Sequence, residues 1–122
     1  GPEYSPDGKN IYFNSYRSGK MQIWRMLADG SNKEQMTFDN YSNWFAHITP
    51  HNQNAVLISY LKDQGQQHPF GRKVKLRLLD LNTKEVSNLT PPFYGGQGTI
   101  NVPSWNPEGT QFAYVVYSLE DL

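Results

Sequence analysis

Apolar residues along the chain come in short bursts that are separated by turn-forming residues. The bursts lie at positions 11–13, 21–27, 55–61, 74–81 and 112–117. None of them keeps the 3.6-residue period of an amphipathic helix through three turns, and each has the length of a strand. The pattern therefore predicts an all-β chain of short strands joined by turns, with few helices.

A repeated motif organises these bursts. Residues 4–13 (YSPDGKNIYF) return as residues 105–114 (WNPEGTQFAY) and, more weakly, as residues 48–57 (ITPHNQNAVL). Residues 23–37 align without gaps on residues 76–90, and both of these segments end in an apolar residue followed by threonine. The chain therefore contains two complete copies of one structural unit and the start of a third.

Each complete copy has the pattern of four antiparallel strands, with tight turns after the first and third strands. The turn pairs Asp7-Gly8 and Asp29-Gly30 suit a backbone with positive φ, and Asn52 is the next best residue at the matching place in the middle copy. The first two copies are about 44 residues apart, which is the length of a four-stranded propeller blade. We therefore expect an all-β fold, a β-propeller fragment of about two and a half blades.

The copies place residues 1–122 in a single partial propeller domain. The first blade covers 2–37, the second covers 46–90, and 103–119 supply the first two strands of a third. Closed propellers take about 4–8 blades, so these blades cannot close a ring by themselves. The open blade faces and the apolar edge strand expected at 112–117 predict self-association.

Composition narrows the classes of function. The chain has 122 residues, 11 Lys and Arg against 11 Asp and Glu, no cysteine and a mean hydropathy of −0.70. A chain with a net charge of zero lacks the positive field that drives nucleic-acid binding. No apolar run reaches the ~20 residues of a membrane span. The absence of cysteine excludes disulfides, thiolate metal sites and a cysteine nucleophile. We therefore expect no nucleic-acid partner and no membrane span.

The repeat resembles that of the TolB-like, WD40-like (PD40) β-propeller family. The family pattern is an aromatic residue followed by Ser-Pro-Asp-Gly-Lys, an apolar strand, Ser-x-Arg-x-Gly, and Ala-Asp-Gly-Ser before Leu-Thr. Residues 4–37 contain nearly all of it, with the Ser-x-Arg-x-Gly part at 15–19. The resemblance implies a bacterial, periplasmic or extracellular propeller, and it says little about activity because such repeats occur in binding proteins and enzymes alike. We expect a non-catalytic binding module, because the chain contains no complete set of catalytic residues. No segment with the pattern of a signal peptide opens the chain.

Antiparallel connectivity predicts two functionally different rims. The tight turns share one, and the long connections after Thr37, Tyr60 and Thr90 share the other, which we call the long-loop rim. Variable loops on a rigid scaffold usually carry binding residues, so we expect this rim to bind a protein partner or an extended ligand. Its candidate ligand-binding residues are Tyr41, Asn43, Trp44, His68, Arg72, Tyr94 and Gln97. A glycan is an alternative ligand, because Tyr41, Trp44 and Tyr94 could stack on sugar rings.

His47 is the remaining candidate ligand-binding residue. It lies on a predicted innermost strand, where its side chain would face the central channel beside Glu3 and Ser104 of the other copies. Resemblance to propeller enzymes leaves two alternatives open: a metal-dependent oligogalacturonate lyase-like site, or the propeller of a serine peptidase. A lone imidazole is more often a hydrogen-bonded structural residue, so we expect no metal and no cofactor. No nucleophile elbow or phosphate loop is present, and we expect no catalytic residues.

Three further patterns give structural predictions. Lys73, Lys75 and Arg77 alternate with apolar residues, and we interpret them as a solvated or blade-to-blade face with carboxylate partners, the alternative being contact with an anion or an acidic protein. The glycine-rich segment 95–98 is interpreted as a flexible turn. Equivalent apolar positions predict mostly buried side chains at Tyr4, Phe13, Ile23, Met26, Leu57, Leu76, Leu79 and Trp105.

Overall fold

The computed structural model describes residues 2–118, which form strands and turns without a helix. The strands in order are β1 (Glu3–Tyr4), β2 (Asn10–Ser15), β3 (Gln22–Leu27), β4 (Glu34–Gln35), β5 (Ser42–Ile48), β6 (Asn54–Tyr60), β7 (Arg72–Asp80), β8 (Val86–Asn88) and β9 (Phe93–Gly95). No helix with the length and apolar character needed to cross a bilayer occurs in these residues.

The strands form two antiparallel sheets. The first sheet has the order β1-β2-β3-β4, and the second has the order β5-β6-β7-β8, with β9 paired to the start of β7. Phe13 pairs with Trp24 in the first sheet, and the equivalent pair in the second sheet is Leu57 with Arg77. The two copies therefore fold in the same register, and the predicted architecture of four-stranded antiparallel blades is confirmed.

Left-handed backbone conformations at the tight turns explain why each copy starts with the same hairpin. Gly8 has a φ of 74°, and Gly109 has a φ of 72° at the matching position of the third copy. Asn52 has a φ of 62° at the matching position of the second copy, which asparagine tolerates better than other residues with a side chain. The turn predicted for the middle copy is therefore confirmed.

Two apolar clusters lie on opposite faces of the second sheet. The cluster between the sheets contains Tyr12, Ile23, Met36, Ala46, Ile48, Ala55, Leu57, Leu79 and Leu81. The cluster on the other face contains Phe45, Val56, Ile58, Tyr60, Val74, Leu76 and Ile100, with Trp105 and Phe112 of the third copy packed against it. The second sheet is thus covered on both faces. Within residues 2–118, no sheet covers the outer face of the first sheet.

Side chains on the outer face of the first sheet are less buried than those of the second sheet, because no other sheet in residues 2–118 covers that face. Four of the predicted core side chains are fully buried: Ile23, Leu57, Leu76 and Leu79. Phe13, Met26 and Trp105 are half-buried, and Tyr4 is 62% exposed, so the prediction for Tyr4 is wrong. Alternate residues of a strand face opposite sides, and the inner face of β2 is taken by Tyr12, which leaves Phe13 on the uncovered outer face.

The third copy departs most from its prediction. In the described residues its strand-type pairing is a single bridge between Trp105 and Phe112, so the strand expected at 112–117 is wrong. The backbone N–H group of Tyr117 instead donates to the Tyr94 carbonyl on β9, and that of Val115 donates to the Thr99 carbonyl in the loop after it. This segment has no following strand beside it within residues 2–118, and it therefore packs on the nearest loop. The last residue predicted for this copy, 119, lies outside the described residues.

Candidate functional site

The tight turns of the three copies lie on one rim, where they contact each other. The side-chain amide of Asn52 donates to the Asp7 carboxylate at 3.2 Å, and a ring nitrogen of His51 lies 3.0 Å from the carbonyl oxygen of Glu108. The long-loop rim is opposite, as antiparallel strands require, and consists of segments 36–41, 61–71 and 89–101.

Aspartates give the tight turns both their geometry and a negative charge. The Ser5 hydroxyl donates to Asp7 at 2.6 Å, and the Ser31 hydroxyl donates to Asp29 at 2.6 Å. These hydrogen bonds lower the pKa of both carboxyl groups. The pKa of Asp80 is lowered by backbone N–H groups of its own turn. These three aspartates are therefore ionised at neutral pH.

A buried polar network joins the two sheets beneath the long-loop rim. The Arg77 guanidinium donates to Asp39 at 2.5 Å, and it also donates to the Asn43 side-chain oxygen at 3.0 Å and the Ser59 hydroxyl at 2.8 Å. The Asn43 side-chain amide donates to Gln22 at 2.8 Å. Arg77 thus has the carboxylate partner that its place in the basic stripe predicts, on the connection that leaves the neighbouring blade. Asn43 is fully buried, so this predicted site residue is enclosed in the protein.

Thr37 extends this network into the backbone, and Thr90 makes the equivalent backbone contact in the second copy. The Thr37 hydroxyl accepts a hydrogen bond from the N–H of Ile23 at 2.9 Å, and the Thr90 hydroxyl accepts one from the N–H of Leu76 at 3.0 Å. Thr37 also donates to Gln22 at 2.5 Å. The threonine that ends both aligned copies in the sequence is therefore a structural signal of the blade fold.

Tyr41 stacks between the network and the solvent. The Lys75 ammonium lies 4.6 Å from the centroid of the Tyr41 ring and donates to its hydroxyl at 3.2 Å. The Arg77 guanidinium lies 4.8 Å from the same centroid. Cations over an aromatic face are attracted by its negative quadrupole, so Tyr41 helps to hold two residues of the basic stripe.

His47 connects the innermost strands of the three copies. One ring nitrogen lies 2.8 Å from the Glu3 carboxylate, and the other is hydrogen-bonded to the Ile100 carbonyl oxygen. The Trp105 indole N–H donates to the His47 carbonyl oxygen at 2.8 Å. Both ring nitrogens are therefore engaged by protein atoms. Across residues 2–118, no group of three or more His, Cys, Asp and Glu side chains is arranged to hold a metal ion.

Trp44, Phe45 and His68 form an aromatic cluster at the inner end of the long-loop rim. The ring centroids of Trp44 and His68 are 4.5 Å apart and those of Phe45 and His68 are 5.2 Å apart, both edge to face. The His68 ring also makes a 2.5 Å hydrogen bond with the side-chain oxygen of Gln97. Three predicted site residues, Trp44, His68 and Gln97, are thus brought together.

A β-bulge positions this cluster. Phe45 has a φ of 56°, in the left-handed region that a bulky residue rarely adopts, and the pairing of β5 with β6 shifts register between Trp44 and His47. Such a conformation costs about 1–3 kcal/mol and must be held by the surrounding packing. The bulge changes the direction of neighbouring side chains, and it lets β5 begin at Ser42, before the predicted start of the second blade at Ala46.

Two long loops are fixed to each other at Pro69. The Tyr60 hydroxyl donates to the Pro69 carbonyl oxygen at 2.6 Å, and the backbone N–H of Gln97 donates to the same oxygen at 3.0 Å. Burial raises the pKa of Tyr60, so the hydroxyl remains a donor. Gly96 is buried, and a Cβ there would collide with both the Pro69 carbonyl and the Tyr60 hydroxyl. The interpretation of 95–98 as a simple flexible turn is corrected: it is a close-packed junction.

A basic groove of about 310 Å³ lies on the long-loop rim beside β7 and β9. It is lined by Leu61, Lys62, Gln64, Gly71, Arg72, Lys73 and Tyr94. The pairing of β7 with β9 places Lys73 opposite Tyr94, and its ammonium lies 4.5 Å from the centroid of the tyrosine ring. Lys62, Arg72 and Lys73 are exposed. The predicted site residues Arg72 and Tyr94 therefore share one groove.

A second groove, of about 540 Å³, follows the outer face of the first sheet. Its lining includes Phe13, Arg17 and Met26 and reaches the cluster of Trp44, Phe45 and His68. The Arg17 guanidinium lies 5.4 Å from the centroid of the Phe13 ring. This groove is apolar because it runs along the sheet face that no other sheet in the described residues covers.

Sequence comparison finds one known family over almost the whole chain. The model of the TolB β-propeller domain matches residues 1–121. An uncharacterized protein of Agrobacterium fabrum is 48% identical over 117 residues, which cover 96% of this chain and 39% of that protein. The chain thus spans well under half the length of this relative.

Solved structures show the same likeness. A TolB-like protein from Agrobacterium tumefaciens superposes with a TM-score of 0.90 and 46% sequence identity, over 97% of this chain and 42% of that one. TolB from Acinetobacter baumannii superposes with a TM-score of 0.64 and 27% identity, over 88% of this chain and 24% of that one. In both comparisons the matched region is only part of the longer protein.

Proposed function

The chain belongs to the TolB β-propeller domain family, and from that premise we propose that it is a non-catalytic binding module that holds a protein partner on its long-loop rim. The observation that carries this proposal is the junction at Pro69, where hydrogen bonds from Tyr60 and Gln97 fix two long loops to each other. A surface that is ordered before binding loses less conformational entropy when the partner arrives.

The side chains around this junction suit a protein partner. His68 belongs to the aromatic cluster and is hydrogen-bonded to Gln97, and Arg72 and Tyr94 lie in the basic groove. Aromatic residues and arginine are the types that most often dominate the binding energy of protein interfaces. The rim therefore combines anchors for apolar contact with charged groups that select the partner.

A glycan ligand has less support. Lys75 lies over the Tyr41 ring, Lys73 lies over the Tyr94 ring, and His68 contacts the Trp44 ring edge to face. Sugar rings bind to open aromatic faces, and each of these three rings already has a neighbour within the protein. The expected sugar platforms are thus engaged before any ligand arrives.

The enzyme alternatives also have less support. A lyase-like metal site would need His47, whose two ring nitrogens are hydrogen-bonded to Glu3 and Ile100. A serine peptidase would have its catalytic residues outside this region, because the chain has no nucleophile elbow. We therefore assign no catalytic residue and no cofactor to this chain in the proposal.

Location and assembly complete the proposal. The TolB family is periplasmic, and we extend a periplasmic or extracellular location to this chain. We also propose that the 122-residue chain self-associates through its uncovered surfaces. Phe13 and Met26 lie on the outer face of the first sheet, and Tyr114 and Val116 of the third copy are 41% and 54% exposed. Burying apolar area of this kind favours association.

Site-specific photo-crosslinking in the bacterium that encodes the protein tests the proposed rim. A photoreactive amino acid replaces Arg72 in one variant and His68 in another, and it replaces Asp29 on the tight-turn rim in the control. We expect one and the same protein to be crosslinked from positions 72 and 68 and not from position 29. Crosslinks from position 29 alone would show that the partner binds the tight-turn rim, which would contradict the proposal.

A further inference from the structure

The formally neutral chain separates its charges between its two rims. Asp7, Asp29 and Asp80 lie at tight turns, and their pKa values are lowered by the hydrogen bonds of those turns. Lys62 and Arg72 lie on the long-loop rim. The net charge of zero therefore conceals a local group of exposed cations on one rim and aspartates at the turns of the other.

The carboxylates of the long-loop rim do not neutralise its basic groove. Asp39 is paired with Arg77 at 2.5 Å, and Asp63 is paired with Lys20 at 3.0 Å. Both acids are therefore engaged by cations outside the groove lining. Among the described residues, no carboxylate lies within ion-pair distance of Lys62, Arg72 or Lys73, which are the three exposed cations of the groove.

The lining of the groove combines cations with apolar and aromatic side chains. The groove measures about 310 Å³ and is bounded by Leu61 and Gly71 as well as by the cations. Tyr94 supplies an aromatic wall, which Lys73 holds in place from the paired strand. A ligand here would meet both apolar surface and the positive charges of Lys62, Arg72 and Lys73.

We infer that this groove binds an acidic, extended segment of the partner protein, an inference that rests on the proposed function. Carboxylates of the segment would pair with Arg72, Lys73 and Lys62, and arginine can hold a carboxylate in a bidentate pair. Opposite charges across an interface steer the encounter and exclude partners of the wrong sign. The basic stripe of β7 thus has two uses: Arg77 joins the blades, and Lys73 faces the partner.

A nucleic acid is the less favoured polyanion for this groove. Three cations cover few phosphates, and affinity for nucleic acid rises with the number of phosphates neutralised. A short acidic peptide needs no more cations than the groove supplies.

Titration of the ¹⁵N-labelled chain with three defined probes tests the inference. The probes are a capped decapeptide of alternating Glu and Ser, the same peptide with Gln in place of Glu, and a single-stranded deoxythymidine decamer. The variants are Arg72→Gln and Lys73→Gln. The matched control is Lys9→Gln, which removes an exposed cation from a tight turn.

The expected result is a set of amide shifts confined to residues 61–73 and 93–95 with the Glu peptide, and binding that weakens with added salt. Each groove variant should lose about fivefold in affinity, as expected for one exposed charge pair, and Lys9→Gln should lose nothing. Equal shifts with the Gln peptide at these residues would overturn the inference that the segment is acidic, but binding on the long-loop rim would still be supported. Shifts confined to the tight turns would overturn both this inference and the proposed binding rim. No binding of the Glu peptide, or tighter binding of the decamer, would overturn the inference.

Discussion

The guanidinium of Arg77 and the carboxylate of Asp39 are 2.5 Å apart and join one blade to the next. Arg77 lies on β7 of the second sheet and is almost fully buried, whereas Asp39 lies in the connection that leaves the first sheet. Asn43 accepts a second hydrogen bond from the same guanidinium. A single side chain therefore holds both the interblade network and the base of the long-loop rim.

Arg77→Ala should destabilise the chain by about 3 kcal/mol, because it leaves the partners of a buried ion pair without their cation. Lys73→Ala is the matched control on the same strand, and its effect should stay within about 0.5 kcal/mol because Lys73 is exposed. Urea unfolding at pH 7 measures both. Equal losses for the two variants would show that the network contributes little to stability.

Gly96→Ala should destabilise the chain by about 2 kcal/mol more than Gly19→Ala. Both glycines have positive φ, 122° and 100°, so both variants carry backbone strain. A Cβ at position 96 also meets the Pro69 carbonyl and the Tyr60 hydroxyl, whereas a Cβ at position 19 meets nothing within 4 Å. Thermal or urea unfolding compares the two. If Gly19→Ala were the more damaging, the junction at Pro69 would not be close-packed.

Stability should hold from neutral pH down to about pH 5 and fall below about pH 4. The pKa values of Asp7, Asp29 and Asp80 are lowered from 3.8 in the folded state. A lowered folded pKa adds stability above the unfolded pKa, and this contribution is lost as the pH falls through the folded pKa. Urea midpoints between pH 7 and pH 2 measure the effect. A triple Asp→Asn variant at these positions should show a shallower fall, and an unchanged fall would assign the acid sensitivity to other groups.

The chain should self-associate with rising concentration, which light scattering measures. Met26→Glu and Val116→Glu place a charge on surfaces proposed for contact, and each should shift the chain towards monomer. Leu89→Glu is the control, because Leu89 is an exposed apolar residue outside those surfaces. A strict monomer at high concentration would contradict self-association.

The blade architecture could be predicted because local residues determine it. Tight turns need positive φ, and the residues that tolerate it recur at Gly8, Asn52 and Gly109. The alignment of the copies then places Leu57 opposite Arg77, as Phe13 is placed opposite Trp24. Local turn chemistry and strand periodicity are both visible in a single sequence.

Other features depend on contacts that a single sequence does not show. Asparagine is a common residue type in ligand-binding loops. The partners of Asn43, however, are Gln22 and Arg77, which lie on two other strands in different sheets. Phe45 stands in a left-handed conformation that glycine would normally occupy, and its residue type gives no sign of the bulge. Tertiary packing determines both the burial of Asn43 and the backbone conformation of Phe45.

The affinity of the crosslinked partner for a set of rim variants tests the central claim most directly. Trp44→Ala and Arg72→Ala change the long-loop rim, and Asp7→Ala and Asp29→Ala change the tight-turn rim. Isothermal titration calorimetry on variants with native circular dichroism should show affinity at least tenfold weaker for the first pair and unchanged for the second, as for interface anchors worth about 1.4 kcal/mol or more. Loss of binding in Asp7→Ala and Asp29→Ala, with normal binding by Trp44→Ala and Arg72→Ala, would contradict the account.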